Sequence, residues 1–170
     1  MKHFREFDIP LAGLAPGTHG FDFEIGPTFF QYFGNAQFDQ GKVHVHLDLD
    51  KQENLFDLHF SIHGHIVVAC DRCLDAFDQH ISGENQLIIK YGDAYFEESD
   101  EVLILAHDMH MYDVSQLVYE YISLLIPIRC VHDEGQCNQE MIRNIEQHDE
   151  PNQTDPRWDV LKKLKNTQNN

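Results

Sequence analysis

A run of alternating residues in the first half of the chain most constrains how it folds. Apolar and polar residues alternate from Val43 to Asp50, and they alternate again from Asp57 to His63. A period of two is typical of strands that bury one face and expose the other. Residues 52–54 lie between the two runs and suit a short turn, so the segment predicts an antiparallel hairpin.

The flanking segments extend this pattern. Phe21–Ile25 also alternates, and further strands are predicted over residues 66–69, 76–91 and 102–105. Asp113 opens a stretch with apolar residues at helical spacing, which Pro127 ends. We therefore expect an α+β fold: a β-rich antiparallel sheet or partial barrel with one central amphipathic helix and a short C-terminal helix.

The C-terminal end differs in character from the rest. Residues 1–145 are interpreted as one β-rich α+β domain, and residues 146–170 as a polar linker, a short basic helix and a disordered tail. Asp155-Pro156 supplies the N-cap residue and the first-turn proline of that helix.

Charge and hydropathy limit the function. The net charge of −17 argues against a protein that coats nucleic acid, DNA included, because phosphate binding relies on Lys and Arg. It favours a basic protein partner or one local RNA contact. No stretch approaches the ~18 apolar residues of a membrane span, and the N-terminus lacks a secretory pattern. We therefore expect a soluble, cytoplasmic protein without a membrane partner; the oligomeric state stays open.

The four cysteines form two clusters. Cys70 and Cys73 make a C-x-x-C at the end of a predicted strand, and Cys130 and Cys137 follow the helix. His132 lies between the second pair and is a possible substitute ligand. In a reducing compartment this arrangement favours a structural zinc site. Buried, unligated cysteines and a thiol–disulfide redox pair are the alternatives; a redox C-x-x-C normally opens a helix in a βαβ unit, which the pattern here does not predict.

Other polar residues are weaker candidates. Histidines lie on the polar faces of both hairpin strands, and the expected register brings His46 near His59. Such a pair could bind metal or bases or respond to pH, although a solvated sheet face is favoured.

Basic residues offer a different kind of site. Arg72 projects from the cysteine turn and could bind a phosphate or a carboxylate, or pair with a nearby aspartate. Arg157, Lys162 and Lys163 cluster on the last helix and could contact RNA or form a solvated face.

Several ordered elements together resemble one known family. They are Cys70-Asp71-Arg72-Cys73-Leu74 with Phe77, the helix that ends in Leu124-Leu125-Ile126-Pro127, the segment from Cys130 to Cys137, and Asp155-Pro156-Arg157-Trp158 with Leu161-Lys162-Lys163-Leu164. Over residues 40–165 the chain resembles the YceD-like family. The resemblance implies a role in the accumulation of large-subunit ribosomal RNA and possible binding of metal and nucleic acid. It carries over no catalytic residue.

The sequence therefore favours a non-catalytic factor for ribosome assembly. Its expected partner is a ribosomal protein or a large-subunit rRNA precursor. Two alternatives stay open: a zinc-dependent hydrolase acting on RNA, for which His132 and Asp133 would be the only candidate groups, and a structural protein with no ligand. The expected zinc-hydrolase motifs do not occur in the sequence.

Overall fold

A computed structural model describes residues 4–34, 38–53, 55–99 and 101–148 of the chain. The chain divides after Val131 into two compact units, 1–131 and 132–170, which are described separately.

A six-stranded sheet is the main part of the first unit. Its strands are β2 (Gly17–Ile25), β3 (Gly41–Lys51), β4 (Leu55–Ala69), β5 (Ala76–Gly92), β6 (Phe96–Ser99) and β7 (Val102–Ala106). They lie in the order β2-β3-β4-β5-β7-β6. Neighbours pair antiparallel except β5 and β7, which pair parallel. A separate two-stranded sheet pairs β1 (Asp8–Ile9) with β8 (Tyr112–Asp113). The expected α+β class is confirmed, and among the described residues the large sheet stays open, with β2 and β6 as its edges.

One face of the large sheet carries the hydrophobic core. Val43, Val45, Leu47 and Leu49 are fully buried, whereas the intervening polar residues of β3 are half-buried or exposed. Two helices contribute to this core: α1 (Pro27–Phe33) and α2 (Ser115–Leu124). Tyr121 of α2 contacts Phe60 of β4, with ring centroids 5.3 Å apart. The period of two thus separates a core face from a polar face, as the alternation predicts.

The central helix begins two residues later than its sequence pattern indicates. Asp113 belongs to β8, where it pairs with Asp8. Its Oδ1 atom accepts a hydrogen bond from the Ser115 backbone N–H at 2.8 Å, so this carboxylate satisfies a free donor at the helix start. Pro127 follows the helix end at Leu124, as expected.

The described part of the second unit contains one helix, α3 (Gln139–His148). The Asn138 side chain caps its start, because Oδ1 accepts from the Glu140 N–H at 3.0 Å. The helix runs three residues into the segment interpreted as a linker, and the predicted C-terminal helix lies outside the described residues. Across the described chain, the helices are too short or too polar to cross a lipid bilayer.

Candidate metal centre

The first cysteine pair lies on a closed turn, residues 70–75, that follows β4. The Leu74 N–H donates to the Cys70 carbonyl and the Cys70 N–H donates to the Asp75 carbonyl, both at 2.9 Å. The Arg72 N–H points at the Cys70 sulfur at 3.4 Å. Such a donor suits a metal-bound sulfur, which accepts hydrogen bonds of this kind from the surrounding backbone.

Leu74 closes this turn in an unusual backbone conformation. Its φ is 67°, in the left-handed region that L-residues seldom adopt. Its side chain is 70% exposed, so packing of the side chain does not explain this conformation. The left-handed residue lets the chain reverse directly after Cys73 and enter β5.

Asp71 connects the turn to Cys130. The Asp71 N–H donates to the Cys130 carbonyl at 2.7 Å. Asp71 Oδ2 accepts from the Cys130 N–H, also at 2.7 Å. Cys130 follows α2 by six residues, so this reciprocal pair fixes the end of the α2 segment beside the cysteine turn, across 59 residues of sequence.

The second half of the centre follows immediately. His132 is two residues from Cys130 and therefore lies within about 7 Å of it by chain length alone. Cys137 Sγ lies 3.9 Å from His132 Nδ1. The loop between them bends at Gly135, whose φ of 82° suits glycine, and the Gln136 N–H donates to the Asp133 carbonyl at 3.0 Å.

Four of the described side chains are of the kind that holds a metal ion: Cys70 and Cys73 in the first unit, and His132 and Cys137 in the second. Each offers one ligand atom, and the three cysteines are buried whereas the histidine is half-buried. Cysteine sulfur and histidine nitrogen are the ligands that structural zinc sites use.

Cys130 is the one cysteine outside this group. Its sulfur donates to the Pro127 carbonyl at 3.4 Å. Burial raises the pKa of the Cys130 thiol, and the negative charges of Asp71 and Cys70 raise it further. The four candidate ligands therefore include His132, the predicted substitute ligand, in place of Cys130.

The basic residues singled out from the sequence lie in different places. Arg72 is exposed on the cysteine turn, and within the described part of the chain it forms no ion pair. Arg157, Lys162 and Lys163 lie outside the described residues.

Histidines and carboxylates share the polar face of the sheet. His44 stands opposite His63 in the β3–β4 register, and His46 stands opposite Ser61, so His59 is a diagonal neighbour of His46 and not its direct partner. His46 Nδ1 lies 2.8 Å from Asp22 Oδ1. This hydrogen bond raises the pKa of His46 and lowers that of Asp22. All these side chains are at least partly exposed, as expected for a solvated face.

Fold and candidate ligands together define an α+β protein with a cysteine pair in its first unit and a histidine and a cysteine in its second. Residues 58–165, more than half of the chain, match the family described as Large ribosomal RNA subunit accumulation protein YceD, and the chain belongs to this family. Membership implies a role in the accumulation of large-subunit ribosomal RNA. The sequence has no significant match to a curated protein or to a solved structure.

Proposed function

We propose that this protein supports large-subunit rRNA accumulation in the cytoplasm as a non-catalytic binding factor whose client is a basic ribosomal protein. The family match over residues 58–165 carries the proposal. The net charge of −17 supports a basic client, because opposite charge steers association and favours specific pairing. A contact with an rRNA precursor is the alternative client interaction, and it would use Arg72 together with Arg157, Lys162 and Lys163.

Zinc is the metal proposed for the centre, with Cys70, Cys73, His132 and Cys137 as its ligands. Thiolate and imidazole ligands suit zinc among the common divalent ions. Four protein ligands leave no open position for water or substrate, so the ion would stabilise the fold. This ligand count is what supports a binding factor over a zinc-dependent hydrolase. The alternative ligand set replaces His132 with Cys130.

Zinc content of purified variants tests the ligand assignment. The proposal expects one zinc per chain for the wild type and for Cys130→Ser, and strongly reduced zinc for Cys137→Ser and His132→Ala. If Cys130→Ser loses its zinc and His132→Ala keeps it in full, the ligands are the four cysteines instead. A wild type free of zinc after purification without chelators would refute the centre.

Sedimentation of lysate on a low-salt gradient tests the client. If a ribosomal particle carries the client, the protein travels with large-subunit precursors and leaves them as salt rises, because screening weakens charge pairing. Binding that persists unchanged at high salt contradicts a charge-driven interaction. A protein that stays at the top of the gradient and co-purifies with no ribosomal protein contradicts the proposed function.

A further inference from the structure

An open cleft lies between α2 and the β5–β7–β6 end of the sheet. Its volume is about 460 Å³. Ligand pockets typically have volumes of about 300–1,000 Å³. Aliphatic side chains from both walls line it: Leu87, Val102, Leu103, Leu117 and Leu124. Leu124 at the rim is 76% exposed, so the apolar lining continues onto the surface.

Two carboxylates stand on opposite sides of this apolar lining. Glu97 comes from β6 and Glu120 from α2, and both are exposed. Hydrogen bonds position both: the Tyr95 hydroxyl donates to Glu97 Oε1 at 3.1 Å, and the Gln116 side-chain amide donates to Glu120 Oε1 at 2.7 Å. None of the described residues that line the cleft is basic. The two charges therefore lack a cation within the cleft lining.

The tyrosines of the cleft experience this negative charge. Burial, then the charge of Glu120, raises the pKa of Tyr121 to about 12. Burial, followed by the hydrogen bond to Glu97, raises the pKa of Tyr95. An anionic ligand such as a phosphate would meet the same repulsion, whereas a cation would relieve it.

We propose that this cleft binds a basic peptide segment that inserts one aliphatic side chain among the leucines and pairs flanking Lys or Arg with Glu97 and Glu120. The inference rests on the proposed function, since it assigns a site to the basic client. The open rim suits a chain that passes through, because the apolar lining reaches the surface at Leu124. Charge complementarity favours a basic peptide over RNA.

Fluorescence anisotropy with two labelled peptides tests the site on the full chain. The probes are Lys-Arg-Lys-Leu-Arg-Lys-Arg and the same peptide with Ser in place of Leu. Burial of the leucine side chain predicts at least about tenfold tighter binding of the first. We expect each of Glu97→Gln and Glu120→Gln to weaken peptide binding roughly two- to five-fold, and the double variant to weaken it roughly tenfold.

Matched variants separate this site from general charge attraction. Glu98→Gln removes the same charge from β6 at a residue that pairs with Lys90 at 3.6 Å and does not line the cleft, so it leaves binding nearly unchanged. Leu124→Ser lowers affinity for the leucine peptide alone. Equal binding of both peptides, equal effects of the Glu97 and Glu98 changes, or no binding overturns the cleft assignment. Those failures leave the proposed function standing if the wild type still travels with large-subunit precursors.

Discussion

Removal of the Asp71 carboxylate tests whether the cysteine turn and the Cys130 segment are held together as described. In Asp71→Ala the Cys130 N–H loses its acceptor, in a residue that is only 8% exposed. A buried donor left without a partner costs about 1–3 kcal/mol, and hydrogen bonds to charged groups lie toward the upper part of that range. The backbone bond from Asp71 to the Cys130 carbonyl survives the change. We therefore expect the free energy of unfolding to fall by about 2 kcal/mol.

Two companion variants isolate the cause. Asp71→Asn keeps an oxygen acceptor but removes the charge, so it is expected to cost less than about 1 kcal/mol. Asp78→Ala removes one negative charge from an exposed residue of the adjacent strand and is expected to change stability by less than about 0.5 kcal/mol.

Urea unfolding of metal-free protein, followed by circular dichroism, gives the comparison. Chelator is needed because bound metal would itself stabilise the folded state and mask the difference. Equal midpoints for Asp71→Ala and Asp78→Ala would refute the role assigned to the carboxylate.

Three further changes follow from local geometry. Leu74→Gly removes about 1 kcal/mol of left-handed strain but adds a similar cost in chain entropy, so its urea midpoint should stay close to that of the wild type. Leu74→Val keeps the strain with a β-branched side chain and should lower the midpoint. Gly64→Ala places a Cβ against the Lys42 carbonyl oxygen at a φ of 156° and should cost at least about 2 kcal/mol. Gly13→Ala meets nothing within 4 Å and should be nearly neutral. A small loss at Gly64 contradicts the close approach of β3 and β4. Because the pKa of His46 is raised from 6.5, its protonated form stabilises the fold at pH values below 6.5, and this stabilisation disappears as pH rises through the folded pKa. Because the pKa of Asp22 is lowered from 3.8, its ionised form stabilises the fold at pH values above 3.8. The urea midpoint of wild type minus that of His46→Gln should therefore be greatest near pH 5 and vanish at alkaline pH, and a pH-independent difference contradicts the pairing.

The hairpin illustrates what alternation can predict. The buried set from Val43 to Leu49 follows from the period of two, because successive side chains point to opposite faces. The expected nearness of His46 and His59 does not fix the exact register, in which His46 stands opposite Ser61, two residues along β4 from His59. A shift of two keeps every side chain on its face, so burial gives no information about it, and the turn geometry decides.

The helices illustrate where local patterns fail. The α1 sequence, Pro27–Phe33, is apolar on most sides and has no helical period to detect. Its aromatic residues meet partners that are distant in sequence: Phe33 stacks on Tyr119 with centroids 4.4 Å apart. Such contacts depend on tertiary packing, which overrides weak local propensity.

The metal ligands could be predicted only in part. Cys70 and Cys73 follow from their spacing, since two ligands on one turn reach a single ion. His132 and Cys130 are two residues apart in the sequence, so spacing does not tell which of them is a ligand. The direction in which the chain continues after the Asp71–Cys130 hydrogen bond decides it. That direction is a tertiary property. The cleft beside α2 has no sequence signature, because only the fold brings Glu97 and Glu120 to the lining of the same cleft.

The ratio of large- to small-subunit rRNA in cells shows directly whether this protein and its cysteine turn support large-subunit rRNA accumulation. Cells that lack this protein receive the wild type, the double variant Cys70→Ser, Cys73→Ser, or Asp78→Ala as a matched control. We expect a normal ratio with the wild type and Asp78→Ala, and a reduced ratio with the cysteine variant. A normal ratio without the protein contradicts the role in large-subunit rRNA accumulation, and a normal ratio with the cysteine variant contradicts the part assigned to the metal centre.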